Sequence, residues 1–151
     1  MKKIILVAAM VLGFAVAAVA QPRAVGLRLG YAAEVSYQHT LNSTNFLEAN
    51  LGLNGGTLNL AGTYNWMIAQ PQWTDRGEWG FYAGPGAALG LYGATAFCLG
   101  VAGQVGLEYT FWFPLQISLD IRPQLGFWTY KGVTDFYGDG WYPCLSFRYR
   151  F

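Results

Sequence analysis

From residue 24 onward, apolar residues recur at every second position. Val25, Leu27, Leu29, Tyr31, Ala33, Val35 and Tyr37 share one parity, and Leu47, Ala49, Leu51 and Leu53 share another such set. The pattern continues through Leu58, Leu60, Gly62, Tyr64, Trp66 and Ile68, then through Leu99, Val101, Val105, Leu107, Tyr109 and Phe111. Leu115, Ile117, Leu119, Ile121, Leu125 and Phe127 form the next set, and the chain closes on Leu145-Ser146-Phe147-Arg148-Tyr149-Arg150-Phe151. A helical period would scatter these residues around the axis, whereas a strand puts them on one face. The spacing therefore predicts strands over 24–38, 45–54, 58–69, 79–92, 97–112, 115–128 and 141–151. Residues suited to reversing the chain separate most of them: Asn42-Ser43-Thr44-Asn45, Asn54-Gly55-Gly56, Asp75-Arg76-Gly77, Gly93-Ala94-Thr95, Pro114 and Gly138-Asp139-Gly140.

The opposite parity is polar. It carries Arg28, Glu34, Glu48, Glu108, Asp120, Arg122, Arg148 and Arg150, with Asn50, Asn59, Asn65, Gln104, Gln116 and Gln124 among them. Four positive and four negative charges thus point one way, and the remaining charges beyond residue 20 fall at the leading end or in and beside connections. A soluble sandwich would share this period. Three features favour a barrel closed in lipid instead: aromatics sit at strand ends, the polar face is balanced in sign, and no strand has an evidently solvated edge. In lipid every backbone polar group must be paired internally, so such a sheet has to close on itself.

Single-chain bacterial barrels use an even strand number starting at eight. Seven strands are clear, and the eighth is expected either at 130–137, the favoured place, or from a break of the first segment at Gly30. The uncharged stretch 80–103 is long enough to suggest a membrane helix, but Pro85 and glycines 80, 84, 86, 90, 93, 100 and 103 argue against one. Gly80, Gly84, Gly86 and Gly90 share the inward parity with Tyr82 and Tyr92, where missing side chains would make room for bulky ones across a narrow bore.

Composition supports the same picture. Charged residues make up 11% of the chain, against roughly a quarter in ordinary soluble domains. The start, Met1-Lys2-Lys3 followed by an apolar stretch and Ala18-Val19-Ala20, has the form of a cleaved secretory signal peptide over 1–20, leaving one domain over 21–151. Without Lys2 and Lys3 the exported part holds seven basic and eight acidic residues, so nothing steers nucleic acid.

Candidate chemistry is sparse. Cys98 and Cys144 form no CxxC and have no histidine companions, which argues against a metal or redox motif; as an exported pair they leave a disulfide or two thiols open. His39, near Ser36, Ser43 and Glu48, is the one histidine on which a lipid-deacylating hydrolase could rest, but Tyr37-Gln38-His39-Thr40 lacks the His-x-Ser arrangement associated with such enzymes. No catalysis and no cofactor are expected. In a narrow bore the eight charges must pair, because an unpaired buried charge is very costly, so a salt-bridged plug is favoured over a narrow pore or small-ligand site. Tyr31, Tyr64, Trp66, Trp79, Tyr109, Phe111, Trp128 and Tyr149 suit interfacial anchoring better than carbohydrate stacking. The connections 71–78, with Trp73, and 131–140 are the candidate contacts for a surface partner.

With an export signal, dyad-repeat strands and the terminal Arg148-Tyr149-Arg150-Phe151, the chain resembles the small eight-stranded outer-membrane β-barrel proteins of Gram-negative bacteria, of the outer-membrane-protein-A and X type. The likeness is one of pattern and covers 21–151, though the short connections depart from the longer outer loops common in that family. It implies an all-β, antiparallel, up-and-down transmembrane barrel in the outer membrane with a filled polar lumen. It further implies that Phe147, Tyr149 and Phe151 act as the signal read by the barrel assembly machinery. The expected role is structural or surface-presenting.

Overall fold

The structure, a computed structural model, describes residues 22–93 and 95–151. The signal-peptide reading of 1–20 lies outside them, as does Ala94 in the turn at 93–95. The described residues form ten antiparallel strand segments and no helix. In chain order these are β1 (Arg23–Leu29), β2 (Ala33–Thr40), β3 (Asn45–Asn54), β4 (Thr57–Ala69), β5 (Glu78–Tyr92), β6 (Ala96–Thr110), β7 (Leu115–Ile121), β8 (Gln124–Tyr130), β9 (Val133–Asp139) and β10 (Cys144–Arg150).

Each segment pairs with its sequence neighbour as far as β6, which then pairs with both β7 and β8 along one line. β9 lies on β8 and β10 on β7, while β10 also pairs with β1 and closes the sheet. Two staves of the wall are therefore interrupted strands, β7–β8 and β9–β10, and the wall has eight staves. Following the pairing once around from Arg23, through His39, Leu47, Tyr64, Pro85 and Gly103, returns to the first stave about ten residues further along, the stagger that a tilted closed barrel requires.

The interruptions have a local cause. Pro123 has no N–H to give to a ladder, and Gly140 (φ 82°) lies against the Arg122 carbonyl, so close that a Cβ there would clash. The registers on either side, Gln124 with Asp139 and Asp120 with Cys144, differ by one residue. Pro85 similarly coincides with a gap in the β4–β5 ladder between the Thr63–Gly86 and Trp66–Ala83 pairs.

The eighth stave is where the first segment breaks. β1 and β2 are a hairpin closed by Gly30-Tyr31-Ala32, with Leu29 opposite Ala33. The favoured alternative, an additional strand over 130–137, is corrected in its place and not in its type: Tyr130 ends β8, Lys131-Gly132 turns the chain, and β9 is a strand over Val133–Asp139 that shares one stave with β10. Gly138-Asp139-Gly140 is likewise no reversal but the kink between those two segments. Lys131 (φ 47°) and Gly132 (φ 82°) form a two-residue turn of the kind that matches strand twist, as do Gly55 (φ 55°) and Gly56 (φ 85°).

Both ends of the described residues lie at one rim, where Arg23 and Phe151 exchange backbone hydrogen bonds of 3.0 and 2.9 Å. We call this the terminal rim; the turns 41–44, 70–77 and 111–114 share it. The turns 30–32, 55–56 and 131–132 lie at the far rim. There β9 rises beyond the short β1–β2 hairpin and has one ladder partner among the described residues, β8.

Parity decides the faces as expected. Ile68, Val101 and Leu53 are each at least 65% exposed on the outside of the wall, while Arg148, Ser36, Ser146 and Asn65 inside are fully buried. The apolar side of this sheet is outside and its polar side is the core.

Candidate functional site in the lumen and at the far rim

Halfway along the bore, Arg148 on β10 is enclosed. Its Nη2 donates to Glu48 Oε1 at 2.9 Å, its Nε to Ser36 Oγ at 2.8 Å and its Nη1 to Ser118 Oγ at 2.7 Å. Glu48 also accepts from Gln38 (3.1 Å), Asn50 (3.0 Å) and Gln104 (3.3 Å), so a buried charge pair is wrapped in neutral donors from β2, β3 and β6. Such wrapping is what makes burial of an ion pair tolerable. Toward the terminal rim Phe46 and Tyr82 meet edge to face at 5.2 Å, and Tyr82 is buried. A Cβ at Gly106 would strike the Tyr82 phenol, so this inward glycine makes the room that the sequence led us to expect of its neighbours.

Toward the far rim a second cluster forms. Arg28 donates from Nη1 to Glu34 Oε2 at 2.8 Å and from Nη2 to Asp120 Oδ1 at 2.6 Å, and Arg122 donates from Nη2 to Glu34 Oε1 at 2.6 Å. The structure thus brings six of the eight predicted lumen charges into two ion-pair groups. Glu108 is buried but accepts from Gln116 at 2.7 Å, and Arg150 is half-buried at the terminal rim, outside these ion pairs.

Cys98 and Cys144 are buried free thiols, and both border a cavity of about 60 Å³ on the far-rim side of the Arg28–Glu34–Arg122 group. His39 faces outward, its ring stacked with that of Tyr37 at 6.4 Å, whereas Ser36 and Glu48 are buried inside the wall. Of the three groups a hydrolase would need, the histidine is thus outside the wall and the other two inside it, and Ser43 is exposed in a turn.

The aromatic set divides. Tyr64 meets Trp66, Trp79 meets Tyr109, Tyr109 meets Phe111 and Tyr149 meets Phe151, all outside near the terminal rim. Phe147 joins Tyr149 and Phe151 on the outward face of β10. Trp128 and Tyr31 belong elsewhere: an open cup of about 770 Å³ at the far rim is lined by them together with Tyr92, Tyr130 and Tyr137. The anchoring role expected of Trp128 is therefore corrected, since β8 pairs it with Cys98 on the lumen side. Sequence reasoning missed this cup, although Trp128 is of opposite parity to outward Phe127 and so was within reach.

The connections predicted for a surface partner, 71–78 and 131–140, lie at opposite rims: the first falls in the turn 70–77 and the start of β5 at the terminal rim, whereas most of the second is strand β9, leaving 131–132 as the turn at the far rim. The first is held down: Trp73 packs on Trp79 (5.4 Å) and Phe81 (5.5 Å), and Tyr109 Oη donates to the Arg76 carbonyl at 2.9 Å. No known family model matches the chain, and no curated protein matches it either.

Proposed function

We propose that the protein is an integral outer-membrane β-barrel with a structural or surface-presenting role and a closed, salt-bridged lumen, performing no catalysis and needing no cofactor. One observation carries this reading: the closed wall turns its apolar residues outward and its charges inward. Such a surface in water would expose far more contiguous apolar area than a soluble monomer tolerates. In lipid it is the required arrangement, because the ladder closes on itself where β10 meets β1 and the aromatic belt near the terminal rim suits the headgroup region.

Under this proposal residues 1–20 are the export signal, and outward Phe147, Tyr149 and Phe151 on the closing stave are read by the assembly machinery before that stave meets β1. Only one of 70–77 and 131–140 then faces outside the cell, and the packed state of the first leaves 131–140 as the better candidate for a surface partner. The test is expression in a Gram-negative host followed by extraction of the outer membrane. The barrel should migrate differently on gels with and without boiling; a soluble protein with one unshifted band overturns the proposal.

A further inference from the structure

The far-rim cup has a composition that neither the wall nor the plug requires. Tyr92 closes β5, Trp128 and Tyr130 end β8, and Tyr137 stands on β9 opposite Gly126, so strand pairing sets all four rings on the lumen side. Tyr31 comes in from the β1–β2 turn and stacks on Tyr142 at 5.7 Å. These rings are not core: Tyr31 remains 57% and Tyr92 50% exposed. Facing inward, they do not anchor the wall in lipid either. Rings paid for in neither currency are free to meet a ligand.

Between the rings stand planar hydrogen-bonding groups. Asn54, Asn59, Gln124 and Asp139 line the same cup, and the Tyr137 hydroxyl is buried without an oxygen or nitrogen partner. The volume falls within the range of about 300–1,000 Å³ typical of small-molecule sites, which combine aromatic walls with a few convergent polar groups.

Charge selects among ligands. The lining offers no cationic group, which disfavours phosphates and acidic sugars, and Asp139 is its one carboxylate, already accepting from the Gly140 N–H at 2.7 Å. An organic cation would suit aromatic rings, but the Tyr130 ring already holds the Lys131 ammonium, 5.1 Å from its centroid. A neutral pyranose needs neither charge. Its C–H face lies against the negative face of an aromatic ring, and its hydroxyls both donate to and accept from amides and carboxylates. We propose that the far-rim cup binds a neutral saccharide, with Trp128 and Tyr92 as stacking platforms and Asn59, Gln124 and Asp139 as hydroxyl partners.

The test uses the full exported chain, purified from membranes into a polyoxyethylene detergent that carries no sugar headgroup. Cellobiose and N,N′-diacetylchitobiose are titrated in, with choline and sialyllactose as competing chemistries, and binding is followed by calorimetry. The expected result is saturable binding of at least one neutral disaccharide with Kd on the order of 1 mM. Trp128→Ala and, as a second variant, Tyr92→Ala should each weaken it at least tenfold while keeping the heat-dependent gel shift of the folded barrel. Asp139→Asn should weaken a saccharide only modestly, since the amide still donates and accepts. Binding of choline alone, abolished by Asp139→Asn, overturns the proposal in favour of a cation site. So does a folded barrel that binds neither disaccharide, or one whose affinity Trp128→Ala and Tyr92→Ala leave unchanged. The gel shift reports on the barrel independently, so failure of the cup and failure of the membrane reading are distinguishable.

Discussion

Arg148 shows how much a single residue carries in a core made of polar groups. Replacing it by methionine removes donors from Ser36 and Ser118 and leaves Glu48 buried without its counter-charge. Breaking a buried pair from one side costs about 3–5 kcal/mol, whereas replacing both partners with apolar groups is often close to neutral. Arg148→Met should therefore lower the urea midpoint of the micelle-bound barrel strongly, and Arg148→Met combined with Glu48→Met should lower it less than the single change. An additive pair would show that the two charges do not act on each other. A steric counterpart lies at Gly106, where a methyl group would meet the Tyr82 ring. Gly106→Ala should cost about 1–3 kcal/mol, and Tyr82→Leu, destabilising alone, should recover part of that loss when the two are combined. Unfolding curves of the four proteins decide this, and equal losses with and without Tyr82 would rule out the clash.

At the scale of elements, the connection 70–77 is better described as part of the wall than as a loose loop. Trp73 covers Trp79 and Phe81, the Arg76 guanidinium lies 5.7 Å from the Trp112 ring, and Thr74 Oγ1 donates to the Arg76 carbonyl at 2.7 Å. Deleting 75–77 should lower the temperature at which the gel shift is lost, and Trp73→Ala should do so more weakly, by about 1 kcal/mol for an aromatic contact that is half exposed. An unchanged transition in the deletion variant would mean that these contacts add nothing. The same elements show what periodicity can and cannot reveal. Alternation sorted the lumen charges because side-chain direction has a period of two along any strand. It could not reveal the β1–β2 reversal, because a turn of three residues, Gly30-Tyr31-Ala32, returns the chain in the same parity: Leu29 and Ala33 both face outward. Gly138-Asp139-Gly140 failed in the other direction. Its residues permit a sharp bend, but Gly140 bends the chain against the Arg122 carbonyl and lets it run on, which only the neighbouring interruption at Pro123 explains. Which charges pair was beyond the sequence as well, since Glu34 bridges Arg28 and Arg122 across staves distant in the chain.

For the molecule as a whole, the decisive question is whether an eight-staved bore is a passage or a core. An inner width just sufficient for side chains means that a few large residues close it. Here Arg148, Glu48, Gln104 and Tyr82 are all fully buried, and they come from β10, β3, β6 and β5, so the closure spans the lumen rather than lining one side. The cup at the far rim and the small cavity below it share Tyr31, Asn59, Cys98, Gln124 and Asp139, and that path ends among the Arg28–Glu34–Arg122 ion pairs. An ion entering from the far rim would have to part buried, paired charges, which is costly by several kcal/mol per group. The barrel inserted in a planar bilayer should therefore show no discrete conductance steps, at neutral pH and at moderate voltage. Arg148→Ala with Glu48→Ala removes the mid-bore pair and the bulk of one large side chain, and this variant should begin to conduct if the pair is what closes the passage. Steps of equal size in the unaltered protein and in the variant would mean that ions take a route around the network, and the lumen would then have to be regarded as a pore. Silence from the unaltered protein and steps from the variant would identify the Arg148–Glu48 pair as the gate that makes this bore a core.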